Sequence, residues 1–197
     1  WRVAPNDGCM PVQLGGLDAA GLSFQGGAFR VCAGAGGAIV SADANGRWGD
    51  GFVINGLSLN GRMAGEAAQP ARLSAQRVVG RFSGTGQATE LSIEAAAPAL
   101  AVDMEEDRTI DVVGQSLTAL ARFGGGSWRV DGAFRVGRLD DPGLPGTVSA
   151  IRGDWSAAPQ EGGVLIQVAA GEAAVTAHAA SPDDERPLFN PMRLANV

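Results

Sequence analysis

"SWRVDGAFRV", residues Ser127 to Val136, decides the fold class. Trp128, Val130, Phe134 and Val136 fall on one side of a period-two alternation, with Arg129, Asp131 and Arg135 on the other. A strand that buries one face and wets the other has this pattern. A helix would need apolar residues three and four apart, and that spacing is scarce throughout the chain. The alternation recurs at Phe29 and Val31, Phe52 and Ile54, Leu91 and Ile93, Leu100 and Val102, Ile110 and Val112, and Val164, Ile166 and Val168.

Turn formers punctuate these runs: Gly26-Gly27, Gly34 to Gly37, Asn45-Gly46, Asn55-Gly56, Asn60-Gly61, Gly84 to Gly86, Gly124 to Gly126 and Gly162-Gly163. Glycine and Asn-Gly supply the positive φ that hairpin turns require. The expected class is all-β: an antiparallel meander, a sandwich or an open trough. Helix competes with strand in two stretches, "TELSIEAAAPALAV" (Thr89 to Val102) and "QSLTALARF" (Gln115 to Phe123), so at most one or two short helices are expected. Pro98 interrupts the first, and the second is too short to hold as a helix without packing.

The tail "AASPDDERPLFNP" reads as an extended loop around Pro182, Pro187 and Pro191. The closing "MRLANV" reads as the start of a strand whose partner is missing. Residues 1–197 are therefore expected to be a single β-rich segment cut from a longer protein. A weak repeat, "LDAAGLSF" (Leu17 to Phe24) and "VINGLSLNG" (Val53 to Gly61), is compatible with repetitive sheet and decides nothing more.

The formal charge of −6 over 197 residues argues against a nucleic-acid surface, because phosphate contacts need clustered basic residues. No apolar run reaches the ~20 residues that span a bilayer, so no transmembrane segment is expected in this chain. The cysteines, Cys9 and Cys32, bracket one glycine-rich stretch. On neighbouring strands they would either close a disulfide, worth about 3 kcal/mol in the chain-entropy account, or stay as two buried thiols. A bridge would place the chain in an oxidising compartment.

Catalytic chemistry is thin. There is no Gly-x-Ser-x-Gly elbow, no lysine for a phosphate loop, and "GTGQAT" (Gly84 to Thr89) lacks the strand and helix context of a dinucleotide loop. A triad would have to use His178, the sole histidine, which alternates with Thr176 on what reads as a polar strand face. Acidic clusters at Asp103 to Asp107, Asp140-Asp141 and Asp183 to Glu185 lack the spaced ligands of a calcium loop and read as solvated turns. No catalytic residue, metal site or cofactor is expected.

"GCMPVQLGGLDAAGLSF" (Gly8 to Phe24) followed by "GGAFRVCAGAGGAIV" (Gly26 to Val40) resembles the Cys-x-Pro-Val, Ala-Gly-Leu, Leu-Cys segment of YdbH-type proteins, a branch of the AsmA-like bacterial envelope family. "ERPLFNPMRL" (Glu185 to Leu194) resembles a later Arg-Phe-Asn-Pro-Leu stretch of the same proteins. Ala33 stands where a proline often follows the second cysteine, and Leu188 is inserted before Phe189. The resemblance implies an elongated, curled β sheet, taco-like in section, whose concave apolar face forms an open groove in the periplasm. It also implies an inner-membrane anchor in the full-length protein, and phospholipid carried without catalysis between the inner and outer membranes. Other envelope proteins are possible partners.

The candidate groove residues are Phe29, Val31, Phe52, Ile54, Trp128, Val130, Phe134 and Val136. The same residues would equally serve as the dry interior of an ordinary sandwich. The alternative function is accordingly an extracellular β-sandwich that binds carbohydrate or protein, with Trp48, Trp128 and Trp155 as exposed stacking platforms. An unpaired terminal strand is also a route to an edge-to-edge homodimer.

Overall fold

The computed structural model describes residues 1–19, 21–64, 68–104, 108–161, 163–177, 179–181, 184–187 and 190–195. The strands are β1 (Arg2–Val3), β2 (Cys9–Ala19), β3 (Leu22–Ala33), β4 (Val40–Ala42), β5 (Trp48–Met63), β6 (Gln69–Gly84) and β7 (Ala88–Asp103). They continue as β8 (Thr109–Gly124), β9 (Ser127–Asp140), β10 (Gly146–Gln160), β11 (Gly163–Ala177), β12 (Ala179–Ser181), β13 (Asp184–Pro187) and β14 (Met192–Ala195). Twelve of them form one antiparallel sheet, while β12 and β13 pair with each other. The sheet is an open meander. From β5 to β10 each strand pairs with the strand before and after it, β11 pairs with β10 and β14, and the two ends of the sheet do not meet.

Several turns fall where glycine places them. Asn45-Gly46 joins β4 to β5, Gly84 to Gly86 leads from β6 to β7, and Gly124 pairs with Ser127 across Gly125 and Gly126. The φ values of +61° and +78° at those last two glycines are the paired left-handed residues of a tight primed hairpin. Gly26-Gly27, Asn55-Gly56 and Asn60-Gly61, read as turns from sequence, lie inside β3 and β5. Both helix-competing stretches are strand: Thr89 to Val102 lies in β7 and Gln115 to Phe123 in β8. "MRLANV" does find a partner, since Met192 to Ala195 pairs with Val175 to Glu172 of β11. Part of the tail read as a loop forms the β12–β13 pair. The two copies of the weak repeat are not equivalent, one spanning the β2–β3 turn and the other lying within β5.

One crease organises the sheet. Direct pairing is skipped at Gly56 in β5, Gln76 in β6, Ala97 in β7, Gln115 in β8, Gly137 in β9, Ala150 in β10 and Gly171 in β11. These positions lie side by side across the seven strands. Gly56, Ala97 and Ala150 have positive φ, at +67°, +47° and +51°. The inward face changes parity there: Phe52 and Ile54 give way to Leu57 and Leu59, and Ala71 and Ala75 to Val78 and Gly80. Bulges and left-handed residues bend strands, and a row of them bends a whole sheet.

The bend is toward the apolar side. Ile54, Ala75, Val78 and Ala95 are each less than a tenth exposed, with Phe29, Val31, Phe52, Leu57 and Ile93 packed around them. In a single sheet such burial requires neighbouring strands to lean over one another on that face. The other sheet among the described residues is the two-stranded β12–β13 pair, not the broad facing layer of a sandwich.

Candidate functional site

Register places all eight candidate groove residues on one face. Residues directly opposed in antiparallel strands point to the same side of the sheet. One row runs Val31, Ile54, Val78, Ala95, Leu117, Phe134 and Gly153 from β3 to β10. Beside it runs Ala33, Phe52, Gly80, Ile93, Ala119, Gly132, Trp155 and Val168. Phe82, Leu91, Ala121, Val130, Ala157 and Ile166 make a third row, and Phe123 opposite Trp128 lies in a fourth. Phe29 lies two residues from Val31, and Val136 two from Phe134.

Exposure along this face is graded. Ile54 and Val78 near the middle are 7% and 9% exposed, Leu117 is 38%, and Val168 near the C-terminal edge is 65%. The face is closed over at β5 to β7 and open at β11. Met10 and Leu17 on β2 keep the far edge partly open as well.

Aromatic rings fill the face by lying over glycines on the next strand. Phe24 is opposite Gly61, Phe52 opposite Gly80, Trp48 opposite Gly84 and Trp155 opposite Gly132. At each of these glycines a Cβ would run into the ring. Sequence reasoning missed this role and read Asn60-Gly61 as a turn. The signal that could have found it is the spacing of lone glycines along strands whose neighbours carry aromatics. Trp48 also packs on Phe82, with ring centroids 5.7 Å apart. The Trp155 indole N–H is buried without an acceptor among the described residues. Trp48, Trp128 and Trp155 are all half-buried on the apolar face, not displayed as open platforms.

The other face is polar and internally paired. Arg122 contacts Glu90 at 3.2 Å and Asp131 at 3.6 Å, and Arg129 contacts Asp131 at 2.7 Å. The Arg129 hydrogen bond holds the Asp131 carboxyl below the usual carboxylate range. Arg72 reaches Asp103, and Arg138 and Arg152 pair with Asp140 and Glu172. A shallow concavity of about 760 Å³ lies among Ser116, Thr118, Arg135, Arg152 and Asp154 on this side.

Cys9 and Cys32 are directly opposed on β2 and β3 and form a disulfide. Of the acidic clusters, Asp103 accepts from Arg72 and Thr109, and Asp140 from Arg138 and Thr147. Among the described residues no group of three metal-ligating side chains converges. His178 lies outside the described residues, as do Glu105, Glu106, Asp107 and Asp183. Among the described residues no helix is long and apolar enough to cross a membrane. The disulfide-bonded, all-β chain is compatible with a location outside the cytoplasm. No family model, no curated protein and no solved structure matches the chain.

Proposed function

We propose that the chain is a segment of an AsmA-like envelope protein of the YdbH type, and that its apolar face shields phospholipid acyl chains crossing the periplasm between inner and outer membranes. The observation that carries this reading is one apolar face running from β3 to β11 on a sheet bent toward that side, closed over at β5 to β7 and open from Leu117 to Val168. The sequence resemblance around Cys9 and Cys32 and the disulfide between them support the placement.

The physical basis is simple. Each methylene buried on such a face contributes about 0.8 kcal/mol, and the contacts have no preferred direction along the chain. An acyl chain is therefore held against the face without being fixed in place. The aromatic-over-glycine pairs keep the surface smooth. The role needs no catalytic group, and the full-length protein would carry the membrane anchor.

The test is the lipid content of protein purified without detergent. Mass spectrometry of an organic extract should find phospholipid with the native chain. Val130→Asp and Phe134→Asp should lose it while far-ultraviolet circular dichroism retains the strand signal. An extract free of lipid from the native chain contradicts the proposal, as does collapse of the fold in both variants, which would mark these residues as core.

A further inference from the structure

Three Asn-Gly steps occur in the chain: Asn45-Gly46, Asn55-Gly56 and Asn60-Gly61. In such a step the glycine nitrogen, with no Cβ beside it, can swing onto the asparagine side-chain carbon. The fold holds the three differently. Asn60 and Gly61 pair with Arg72 and Ala71 of β6, and Gly61 pairs on its other side with Phe24 of β3. Space around Gly61 is full, since a Cβ there would meet the Ser23 carbonyl oxygen and the Phe24 ring. Asn55 and Leu57, on either side of Gly56, pair with Arg77 and Ala75. Turning either of these peptides means breaking the ladder that fixes it.

Of the three, Asn45-Gly46 alone lies outside the strands, in the exposed turn from β4 to β5. The Asp43 amide donates to the Arg47 carbonyl at 2.9 Å and closes the turn. The Asp43 carboxylate accepts from the Asn45 and Arg47 amides at 2.8 and 3.0 Å. Gly46 is held least: its amide makes one long bond of 3.4 Å to the Asp43 carbonyl, and nothing lies within 4 Å of where a Cβ would stand. Its φ of +73° is the left-handed residue of a short hairpin loop. The Asn45 side-chain amide has no hydrogen bond among the described residues.

We propose that Asn45 is a site of self-modification, at which this turn converts the side-chain amide to a carboxylate with water as the sole co-reactant. The Gly46 nitrogen gives its proton to solvent and attacks the Asn45 Cγ. The N–Cγ bond forms, the Cγ–Nδ2 bond breaks, and Nδ2 leaves as ammonia with a proton from water. A second water opens the five-membered imide and returns the proton to the Gly46 nitrogen. Opening at Cγ leaves an aspartyl residue, and opening at the main-chain carbonyl carbon leaves an isoaspartyl residue whose backbone runs through Cγ. The balance is one water consumed and one ammonia released, with no oxidation. Either product sets a second carboxylate beside Asp43, and the isoaspartyl form adds a backbone atom to the turn. The Asp43–Arg47 closure is then lost, and with it the corner that seats β4 on β5 beside Trp48 and carries β1 through Arg2–Ser41. This inference does not depend on the lipid reading.

Incubating the intact oxidised chain in buffer made with heavy-oxygen water, then cleaving after arginine, tests the assignment. Asn45 falls in the peptide 31–47, and the other two asparagines fall in 48–62. Mass spectrometry should find a heavy oxygen at position 45, in both aspartyl and isoaspartyl products, while positions 55 and 60 stay amidated. The chain unfolded in urea should convert at all three positions at similar rates, because the fold no longer distinguishes them. A native chain that keeps the Asn45 amide overturns the proposal. So does native conversion at 55 or 60 that keeps pace with 45. Hydrogen exchange reads the consequence: the Asp43 and Arg47 amides should exchange faster in converted chain separated by its added charge, and equal rates would overturn the loosening of the corner.

Discussion

Trp155 lies against Gly132, its direct partner across the β9–β10 pair, so closely that a Cβ on Gly132 would strike the indole nitrogen as well as the Thr118 carbonyl oxygen. The same relation joins Phe52 to Gly80 and Trp48 to Gly84. Each ring replaces the side chain its neighbour lacks, which keeps a single-layer sheet covered without a second layer. Gly132→Val should therefore displace Trp155 and cost about 1–3 kcal/mol, the usual penalty for overpacking. Urea unfolding followed by tryptophan emission measures both effects, and an unchanged midpoint with unchanged emission would show that the ring does not depend on the glycine.

The crease gives a prediction of opposite sign at two of its positions. Ala97 and Ala150 sit at φ of +47° and +51°, a region that costs an L-residue about 1–2 kcal/mol. Ala97→Gly and Ala150→Gly relieve that cost, less the extra freedom glycine gains when unfolded, and should raise stability slightly. Gly56→Ala, at φ +67° with open space around it, should lower stability by about 1 kcal/mol. Equilibrium denaturation of the three variants checks the ordering.

The Cys9–Cys32 bridge closes a loop with a sequence separation of 23 residues, so its loss should cost about 3 kcal/mol. Thiol titration of the oxidised, unfolded chain should find no free sulfhydryl, and two after reduction. Cys9→Ser with Cys32→Ser should unfold at lower denaturant concentration while keeping the sheet.

Asp131 gives a small pH effect whose sign follows from its partner. Its folded carboxyl, hydrogen-bonded by Arg129, lies below its unfolded value. The stability it contributes is present above the unfolded carboxylate range and is lost as pH falls through the folded value. The groups are exposed, so the contribution is modest and screened by salt. Comparing native protein with Asp131→Asn, the difference in unfolding midpoint should shrink on acidification and in high salt.

Much of the architecture is legible in the sequence, and the crease marks where legibility fails. Within each half-strand the alternation is clean, as at Trp128 to Val136. Across the crease the period slips by one residue, so Leu91-Ile93 and Leu100-Val102 look like two strands although both belong to β7. Asn55-Gly56 looks like a hairpin turn for the same reason, its left-handed glycine serving a bend and not a reversal. Alanine-rich β7 resembles a helix because alanine favours helix locally, and cross-strand pairing overrides that preference. The alternation at each candidate groove residue is legible because each lies within one half-strand. Their common face was not, since it depends on register between strands far apart in sequence.

The central claim is that the bent side of the sheet, and not the charged side, meets lipid. Replacing single residues by a photo-crosslinking phenylalanine analogue in cells distinguishes the two. Phe134 and Leu117, the partly exposed pair on the open part of the apolar row, should yield phospholipid adducts, and the neighbouring Arg135 and Ser116 on the opposite face should yield none. Adducts equally frequent on both faces, or absent from both, would contradict it.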